Sequence, residues 1–389
     1  MSSVGVGDIE TAAHGADLAA AFHRDLVGPL IRRELPGLRY AAARLGSGSD
    51  VLGLDDAMSR DHDWGLRLTV LLDEADRAAT GPVAELLERR LPDKFRGQPV
   101  RFATTWDPAV AHRVEVATVG EFAASRLGLD PLAGMSSLDW LVLTGQSVLE
   151  VVAGPVFADA TRQLGPLRRG LAWYPPDVER YVLACGWQRL SQRLAFVGRT
   201  AQTGQPLQSR LLSAELAGDV ISLAFALHRQ WEPYEKWREA LFARLPGADD
   251  LGLLLETAAA AEDWIRREAA LSAAVEALAR VQRAAGLPTP AAASERFFDR
   301  PYRTVPQALA GLLLAQIRDP LLARLRTRVG SVGQWVSSVD ALADPAFRVG
   351  LVAVYRDSLK PVQDSLASGA SHAGAGPPGA SPRVPTRPH

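Results

Sequence analysis

Two kinds of hydrophobic pattern divide this 389-residue chain, and their order limits the folds that it can adopt. Up to about residue 118, short apolar runs rich in β-branched residues alternate with helical patterns, whereas from residue 135 onward we find only helical patterns. The first part reads as a helix over 8–34, strands in LRYAAARL and DHDWGLRLTVLL, a helix in PVAELLERRLPDKF, and strands in PVRFATTW and HRVEVATV. This order predicts a small mixed β-sheet with helices packed against it, followed by a mostly α-helical region, and therefore an α+β fold.

Loops and changes of composition suggest where the domains end. We predict a first domain over 1–145, a helical domain over 146–290, and a C-terminal helical region over 291–364 that includes the loop ahead of its first helical pattern. Residues 365–389 are rich in Gly, Pro, Ser and Ala, so they bury too little apolar surface to offset the entropy of ordering them. We expect this tail to be disordered.

Charge and cysteine content exclude several classes of function. Lys and Arg number 43 and Asp and Glu 44, so the net charge of −1 provides no general attraction for nucleic acid or an anionic membrane. The single cysteine, Cys185, excludes an internal disulfide and a cysteine-based zinc site. The sequence shows neither a secretory signal pattern nor an apolar run of the roughly 18 residues that span a bilayer. We therefore expect a cytoplasmic protein with no membrane partner, and a nucleic-acid partner would need a local basic patch.

A glycine–serine turn and two nearby carboxylates stand out in LGSGSDVLGLDDAMSRDHDWG, residues 45–65. Leu45-Gly46-Ser47 ends the first predicted strand, and after 13 residues Asp61-His62-Asp63 begins the second. Because strand side chains alternate between two faces, Asp61 and Asp63 share one face, where their charges repel unless a cation lies between them. We expect His62, on the other face, to pack or hydrogen-bond rather than bind metal.

These residue types suit a site for phosphate and metal. Glycines allow the backbone to approach a phosphate and to point N–H groups at it, while Ser47 and Ser49 add hydroxyl donors. Asp61 and Asp63 can hold Mg²⁺, with two ions possible, and Glu115 in the alternating run RVEVAT is the candidate third ligand. Each piece also has a purely structural interpretation. The Gly-Ser turn can be a flexible hairpin, the Asp-x-Asp pair a solvated strand end, and Glu115 an exposed strand position.

The order of hydrophobic-Gly-Ser, spacer and Asp-x-Asp resembles the active-site motif of the nucleotidyltransferase superfamily. Together with FVGRTAQTG, SRLL, HRQWEPYEKW and FFDRPYR, it resembles a bacterial family known as domain of unknown function 4037, which is described as nucleotidyltransferase-like. This resemblance covers roughly residues 15–360, and the N-terminal motif is its most specific part. It implies Mg²⁺-dependent transfer of a nucleoside monophosphate from a nucleoside triphosphate to a hydroxyl or phosphate of an acceptor, either a small molecule or a protein.

The helical region contributes further candidates. Related kanamycin-type transferases use a carboxylate of the helical domain as the base, and the resemblance points to Glu215 and Asp219, which share one helix face. The alternative is a solvated face or a salt bridge to Arg210. We expect the aromatic residues of WEPYEKW to seal the interdomain core rather than to stack on a base. The candidate nucleotide-binding residues are Gly46, Ser47, Gly48, Ser49, Arg199, Arg210 and Lys236.

Two other functions fit the same residues. One is a catalytically inactive regulator that binds nucleotide, and the other is a toxin–antitoxin-type module that modifies a partner protein. Convergence of Asp61, Asp63 and Glu115 on one cavity bordered by the turn would favour an enzyme. An exposed groove wide enough for a polypeptide would favour protein modification. We also expect the helix that carries Glu215 and Asp219 to face the carboxylate cavity.

Overall fold

A five-stranded mixed sheet forms the centre of the N-terminal half in the computed structural model, which describes residues 14–56, 58, 64–105 and 107–359. The strand order is β5-β6-β2-β1-β7; β2 and β6 run parallel, and the other neighbours run antiparallel. The strands are β1 (Ala41–Ala43), β2 (Arg67–Leu72), β3 (Lys94–Phe95), β4 (Gln98–Pro99), β5 (Arg101–Phe102), β6 (Ala111–Thr118), β7 (Val156–Asp159), β8 (Glu295–Arg296) and β9 (Arg303–Thr304). Strands β3 and β4, and likewise β8 and β9, form separate two-stranded hairpins.

Helices make up most of the remaining structure. They are α1 (Gly15–Phe22), α2 (Gly28–Glu34), α3 (Thr80–Arg90), α4 (Val119–Leu127), α5 (Ser137–Leu141), α6 (Gly145–Val152), α7 (Leu164–Gly170), α8 (Pro176–Gln202), α9 (Pro206–Leu227), α10 (Glu235–Phe242), α11 (Ala248–Ala260), α12 (Trp264–Ala284), α13 (Ala308–Leu314), α14 (Pro320–Ala323), α15 (Val339–Ala343), α16 (Pro345–Gly350) and α17 (Val352–Ser358). A π-helical turn, His23–Val27, joins α1 to α2. Within the described ranges, no helix combines the length and apolar character needed to cross a membrane.

Both faces of the sheet are covered because its strands bury alternate side chains on opposite sides. On one side, Val70 of β2 packs in a core with residues of α1, α2 and α3. On the other side, Leu71 packs in a core with residues of α4, α6 and the first half of α8. The second half of α8 joins a third core with α9, α11, α12 and α13. Helix α8 therefore connects the sheet to the helical bundle.

The predicted α+β fold, with a small mixed sheet and a mostly helical remainder, is confirmed. The predicted long N-terminal helix is present over residues 15–34, interrupted only by the π-helical turn. Strand β2 begins at Arg67, and residues 64–66 before it are not strand. Residues 250–285 have helical spacing of apolar residues throughout, but they form two helices, α11 and α12. The Asp263 side chain accepts a hydrogen bond from the Arg266 N–H and so begins the second helix.

The expectation that no strand follows residue 135 is wrong. Strand β7 pairs with β1 and forms an edge of the sheet, so the sheet extends beyond the boundary predicted at residue 145. The strand has only four residues, and none is fully buried. Because β7 is short and lacks a clear alternation of apolar and polar residues, its sequence hardly indicates a strand. The pairing with β1 is what makes it one.

Candidate functional site

The 46–49 loop follows β1 and turns through two glycines with positive φ. Gly46 has a φ of 85° and Gly48 a φ of 140°, conformations that side chains with a Cβ rarely adopt. The Gly46 N–H donates to the backbone carbonyl of Glu150 at 2.8 Å, and Ser49 begins a 3₁₀ turn, Ser49–Leu52. Glycine is therefore required here by the backbone itself, as the sequence motif suggested.

A buried ion pair holds this loop in place. The Arg44 guanidinium donates to both carboxylate oxygens of Asp50, at 2.7 and 2.8 Å, and both side chains are buried. Arg44 also donates to the carbonyls of Leu45 and Ser47, at 2.5 and 2.8 Å. Arg67, at the start of β2, donates to the same Ser47 carbonyl at 3.0 Å. The sequence signal that could have revealed the pair is an arginine inside the otherwise apolar run YAAARL.

A cleft of about 320 Å³, here called the smaller cleft, opens beside the loop on the sheet. Glu115 lies on β6 in register with Thr69 of β2, and its side chain is 40% exposed at the cleft. Arg113, on the same strand, is held by Asp107 at 2.6 Å. The lining residues are Arg44, Leu45, Arg67, Leu68, Thr69, Thr104, Asp107, His112, Arg113, Val114 and Glu115.

Arg126 of α4 connects the loop to two carboxylates, and sequence reasoning missed it. Its Nη2 donates to Glu115 Oε2 at 2.6 Å, and its Nε lies 3.6 Å from Glu150 Oε2. A Cβ added at Gly46 would lie 3.4 Å from Arg126 Nη2, so the guanidinium packs against the loop. The predicted proximity of Glu115 to the loop is thus observed, with an arginine between them.

A second cavity of about 960 Å³, here called the larger cavity, lies among the helices. Its walls come from α4, α6, α8, α9, the 230–238 segment and residues 331–348. Glu215 and Asp219 line it, and Arg126 lines it as well. Helix α9 therefore faces the larger cavity. Arg126 lines this cavity and donates a hydrogen bond to Glu115, which lines the smaller cleft.

Arginines of α8 hold the two predicted bases. Asp219 accepts hydrogen bonds from Arg189 Nη2 at 2.9 Å and from Arg193 Nη1 at 3.3 Å. Glu215 forms an ion pair with Arg193. Arg210 is exposed and is not among these partners. The carboxylates thus form salt bridges, but to arginines of the neighbouring helix rather than to the one suggested by the sequence.

Glu232 is a further acidic group in the larger cavity that sequence reasoning did not single out. Its Oε1 accepts hydrogen bonds from Ser222 at 3.0 Å and Arg238 at 3.3 Å. Burial raises the pKa of Glu232, an effect that outweighs the opposing influence of Arg238 and Ser222. Burial likewise raises the pKa of Glu150 on α6. The backbone of Glu232 passes so close to Gly145 that a Cβ there would lie 2.0 Å from its carbonyl oxygen.

The raised pKa of Glu232 predicts a pH-dependent effect of Glu232→Gln. The folded protein holds the proton more tightly than the unfolded chain, so this stabilisation is fully present below the ordinary value near 4.5 and is lost as the pH rises through the folded value. Glutamine keeps the hydrogen-bond acceptor but carries no charge. Thermal melts should show the variant more stable than the wild type at about pH 8, with the difference vanishing near pH 4. A constant difference across this range would refute the assignment.

Aromatic side chains close one wall of the larger cavity. Trp231 is 5% exposed, and its ring centroid lies 4.8 Å from that of Trp173 and 4.5 Å from that of Tyr174. Its indole N–H donates to the Leu171 carbonyl at 3.0 Å. The expectation that WEPYEKW seals the core is confirmed for Trp231, whereas Tyr234 is 41% exposed.

Several predicted site residues are not brought to either cavity, or lie outside the described residues. Asp61, His62 and Asp63 belong to the segment 59–63, which the structure does not describe. Arg199, Arg210 and Lys236 are exposed and line neither the smaller cleft nor the larger cavity. Within the described ranges, no group of three or more His, Cys, Asp or Glu residues is arranged to hold a metal. The predicted metal set includes two residues outside those ranges.

Comparison with known protein families supports the resemblance inferred from the sequence over part of the chain. Residues 140–238 match the family model described as domain of unknown function DUF4037. The resemblance to this family is therefore confirmed over that range, which is narrower than 15–360 and does not include the 45–65 motif. The matched range contains α6, α8, α9 and Glu232, all of which contribute to the walls of the larger cavity.

A search of curated proteins found no match. Among solved structures, the chain is similar to the crystal structure of a nucleotidyltransferase-like protein from Exiguobacterium sibiricum 255-15. The two share 12% identity and a TM-score of 0.32, and the similarity covers 69% of this chain and 76% of the other.

Proposed function

We propose that the protein is an Mg²⁺-dependent nucleotidyltransferase that moves a nucleoside monophosphate from a nucleoside triphosphate to an acceptor. The observation that carries this proposal is that the 46–49 loop follows Leu45 of the smaller cleft and packs against Arg126, which also holds Glu115 at that cleft. The positive-φ glycines let the loop backbone approach a phosphate closely. The Asp61-x-Asp63 motif precedes Arg67, which opens β2 on the same cleft, by only a few residues.

In this proposal the smaller cleft takes the triphosphate. Glu115 presents a partly exposed carboxylate to the cleft, and carboxylate oxygens are ligands that Mg²⁺ prefers, so the described donor fits the ion. Asp61, Asp63 and Glu115 would hold it. When bound, Mg²⁺ neutralises charge on the phosphate oxygens. Arg126 and Arg67 fix the loop and carboxylate positions around the donor.

The larger cavity takes the acceptor, and a carboxylate there removes its proton. An acceptor oxygen attacks the α-phosphorus, the bond to the departing pyrophosphate breaks, and the acceptor proton passes to the carboxylate. Arginines of α8 hold Glu215 and Asp219, and Glu232 accepts a hydrogen bond from Arg238. Burial raises the pKa of Glu232, which suits a general base. We therefore place Glu232 beside Asp219 and Glu215 as a candidate base. A volume of about 960 Å³ suits a small-molecule acceptor better than a polypeptide.

One observation favours a second candidate, the nucleotide-binding regulator without turnover. Arg126 occupies Glu115 Oε2 at 2.6 Å, and a carboxylate held in this way is less available to a metal. A regulator of this kind would bind nucleotide at the loop but would show no release of pyrophosphate. Pyrophosphate release therefore separates the two candidates.

The loop assignment is tested by Gly46→Val. Valine at a φ of 85° strains the backbone by about 1–3 kcal/mol and pushes against Arg126, so nucleotide affinity should fall by more than this strain alone explains. Isothermal titration with a nucleoside triphosphate and Mg²⁺, together with thermal melts, measures both effects.

Gly37, in the turn between α2 and β1, provides a matched control. Gly37 has a φ of 86°, and a Cβ there would meet no atom within 4 Å, so Gly37→Val introduces similar strain away from the loop. This control should lose stability and keep its nucleotide affinity. If both variants lose stability and affinity to the same degree, the loop is only a structural turn.

A further inference from the structure

We propose that Arg126 and Arg348 form a binding site for a phosphate group of the acceptor within the larger cavity. The inference deepens the proposed function, on which it rests for the role of that cavity. It identifies the acceptor as a phosphorylated small molecule held by two guanidinium groups, of which that of Arg126 also contacts Glu115 of the smaller cleft.

The first observation is a pair of buried N–H groups that have no hydrogen-bond partner among the described residues. They are Arg126 Nε and Arg348 Nε, and both side chains line the larger cavity. The nearest carboxylate recorded for Arg126 Nε is that of Glu150 at 3.6 Å, which is beyond hydrogen-bond length. Leaving a charged donor buried without an acceptor is costly, so a group of this kind on a residue that lines a cavity points to a ligand there.

The other arginines named at this cavity have carboxylate partners. Arg189 and Arg193 are paired with Asp219, and Arg238 is paired with Glu232. Their charges are already balanced by neighbouring carboxylates. Arg126 also pairs with Glu115 through Nη2, so what sets Arg126 and Arg348 apart is that their buried Nε–H groups have no acceptor among the described residues.

The second observation is that the two arginines form one rigid unit. Arg348 is 1% exposed, and its Nη2 donates to the backbone carbonyl of Arg126 at 2.7 Å. Its Nη1 donates to the Leu342 carbonyl. Helix α16 packs closely on α4, since a Cβ at Gly128 would lie 2.4 Å from the Pro345 carbonyl oxygen. These bonds fix the Arg348 guanidinium, and the hydrogen bond to Glu115 holds that of Arg126, which reduces the entropic cost of binding.

The charge at this end of the cavity is also favourable. The Glu150 carboxylate lies in the field of Arg126, Arg348 and Arg67, and burial favours its neutral form. Guanidinium forks match the geometry of phosphate oxygens, and a phosphate group would supply acceptors for the Nε–H groups of Arg126 and Arg348. A phosphate group is the ligand that this arrangement fits.

The position of Arg348 assigns the phosphate to the acceptor rather than to the donor. Arg348 and Glu150 line the larger cavity and not the smaller cleft, whereas Glu115 and Thr69 line the smaller cleft and not the larger cavity. Arg126 lies between them, with Nη2 toward Glu115 and Nε toward Glu150. A triphosphate at the 46–49 loop would thus leave Arg348 for a second ligand.

The test is a titration of the full chain with inorganic phosphate, measured by calorimetry without nucleotide. The wild type should bind one phosphate saturably, and Arg348→Lys should weaken binding by about tenfold or more, because lysine lacks the Nε–H donor. Arg126→Lys should have a similar effect and keeps the test decisive if the buried Arg348 variant does not fold. Circular dichroism establishes that each variant is folded.

The matched control is Arg180→Lys. Arg180 Nε is also buried without a hydrogen-bond partner among the described residues, but Arg180 lines neither cavity. Phosphate affinity should be unchanged in this variant. An equal loss in all three variants, or no saturable binding by the wild type, would overturn the proposed site.

A second titration distinguishes acceptor from donor. A non-hydrolysable nucleoside triphosphate with Mg²⁺ should leave phosphate binding in place, whereas competitive displacement would assign Arg348 to the donor and overturn the proposal. Phosphate binding requires no turnover. A protein that binds phosphate here but transfers no nucleotide would refute the proposed function alone, and one that transfers nucleotide without binding phosphate would refute this site alone.

Discussion

Asparagine in place of Asp61 or Asp63 is expected to abolish Mg²⁺-dependent binding of the nucleoside triphosphate, and with it nucleotidyl transfer. Each substitution removes a charged oxygen ligand that the remaining carboxylates cannot replace. The fold should survive, so circular dichroism and thermal melts should match the wild type. Isothermal titration with and without Mg²⁺ measures the loss directly.

His62→Asn is the matched control for these variants, because His62 stands between the two aspartates and the alternation of the sequence predicts that it does not bind metal. This variant should bind Mg²⁺ and nucleotide as the wild type does. If instead Asp61→Asn or Asp63→Asn binds both normally, the assignment of the motif as a metal site is wrong.

The largest expected effect on stability is that of Arg44→Leu. Its partner Asp50 is 8% exposed and would be left as an unpaired buried charge, which costs about 3–5 kcal/mol. The 46–49 loop would also lose the hydrogen bonds that Arg44 donates to the Leu45 and Ser47 carbonyls. Urea unfolding gives the free-energy difference, and nucleotide affinity should fall in parallel.

The double variant Arg44→Leu with Asp50→Leu separates the buried charge from the remaining losses. Replacing both members of a buried ion pair by apolar residues is often nearly neutral, so the double variant should recover much of the stability lost in the single one. A double variant no more stable than Arg44→Leu would show that the pair does not stabilise the loop through its charge balance.

Local sequence patterns were sufficient for much of the fold. Alternation in RVEVAT predicted β6, and the helical spacing of residues such as Phe22 and Ile31 predicted the N-terminal helix. The positive φ of Gly46 also follows from local chemistry, since glycine tolerates it without strain. These features depend on neighbours within a few residues, which a single sequence displays directly.

The partners of the site residues could not be predicted in the same way. Arg348 reaches Arg126 across 222 positions, and Arg193 reaches Asp219 only because α8 packs along α9. Glu232 is an ordinary acidic residue until the cavity walls enclose it and raise its pKa. Such properties arise from tertiary packing, so no spacing in the sequence encodes them locally.

The central claim, nucleotidyl transfer, is tested most directly by following the α-phosphate. The purified protein is incubated with Mg²⁺, a cell extract and each nucleoside triphosphate labelled at the α-phosphorus, and every species that gains label is identified by mass. Our account predicts a labelled small-molecule acceptor that already carries a phosphate, with release of pyrophosphate, and loss of labelling without Mg²⁺ or in Asp63→Asn. Nucleotide binding without any labelled acceptor or pyrophosphate would contradict it and identify the protein as a regulator.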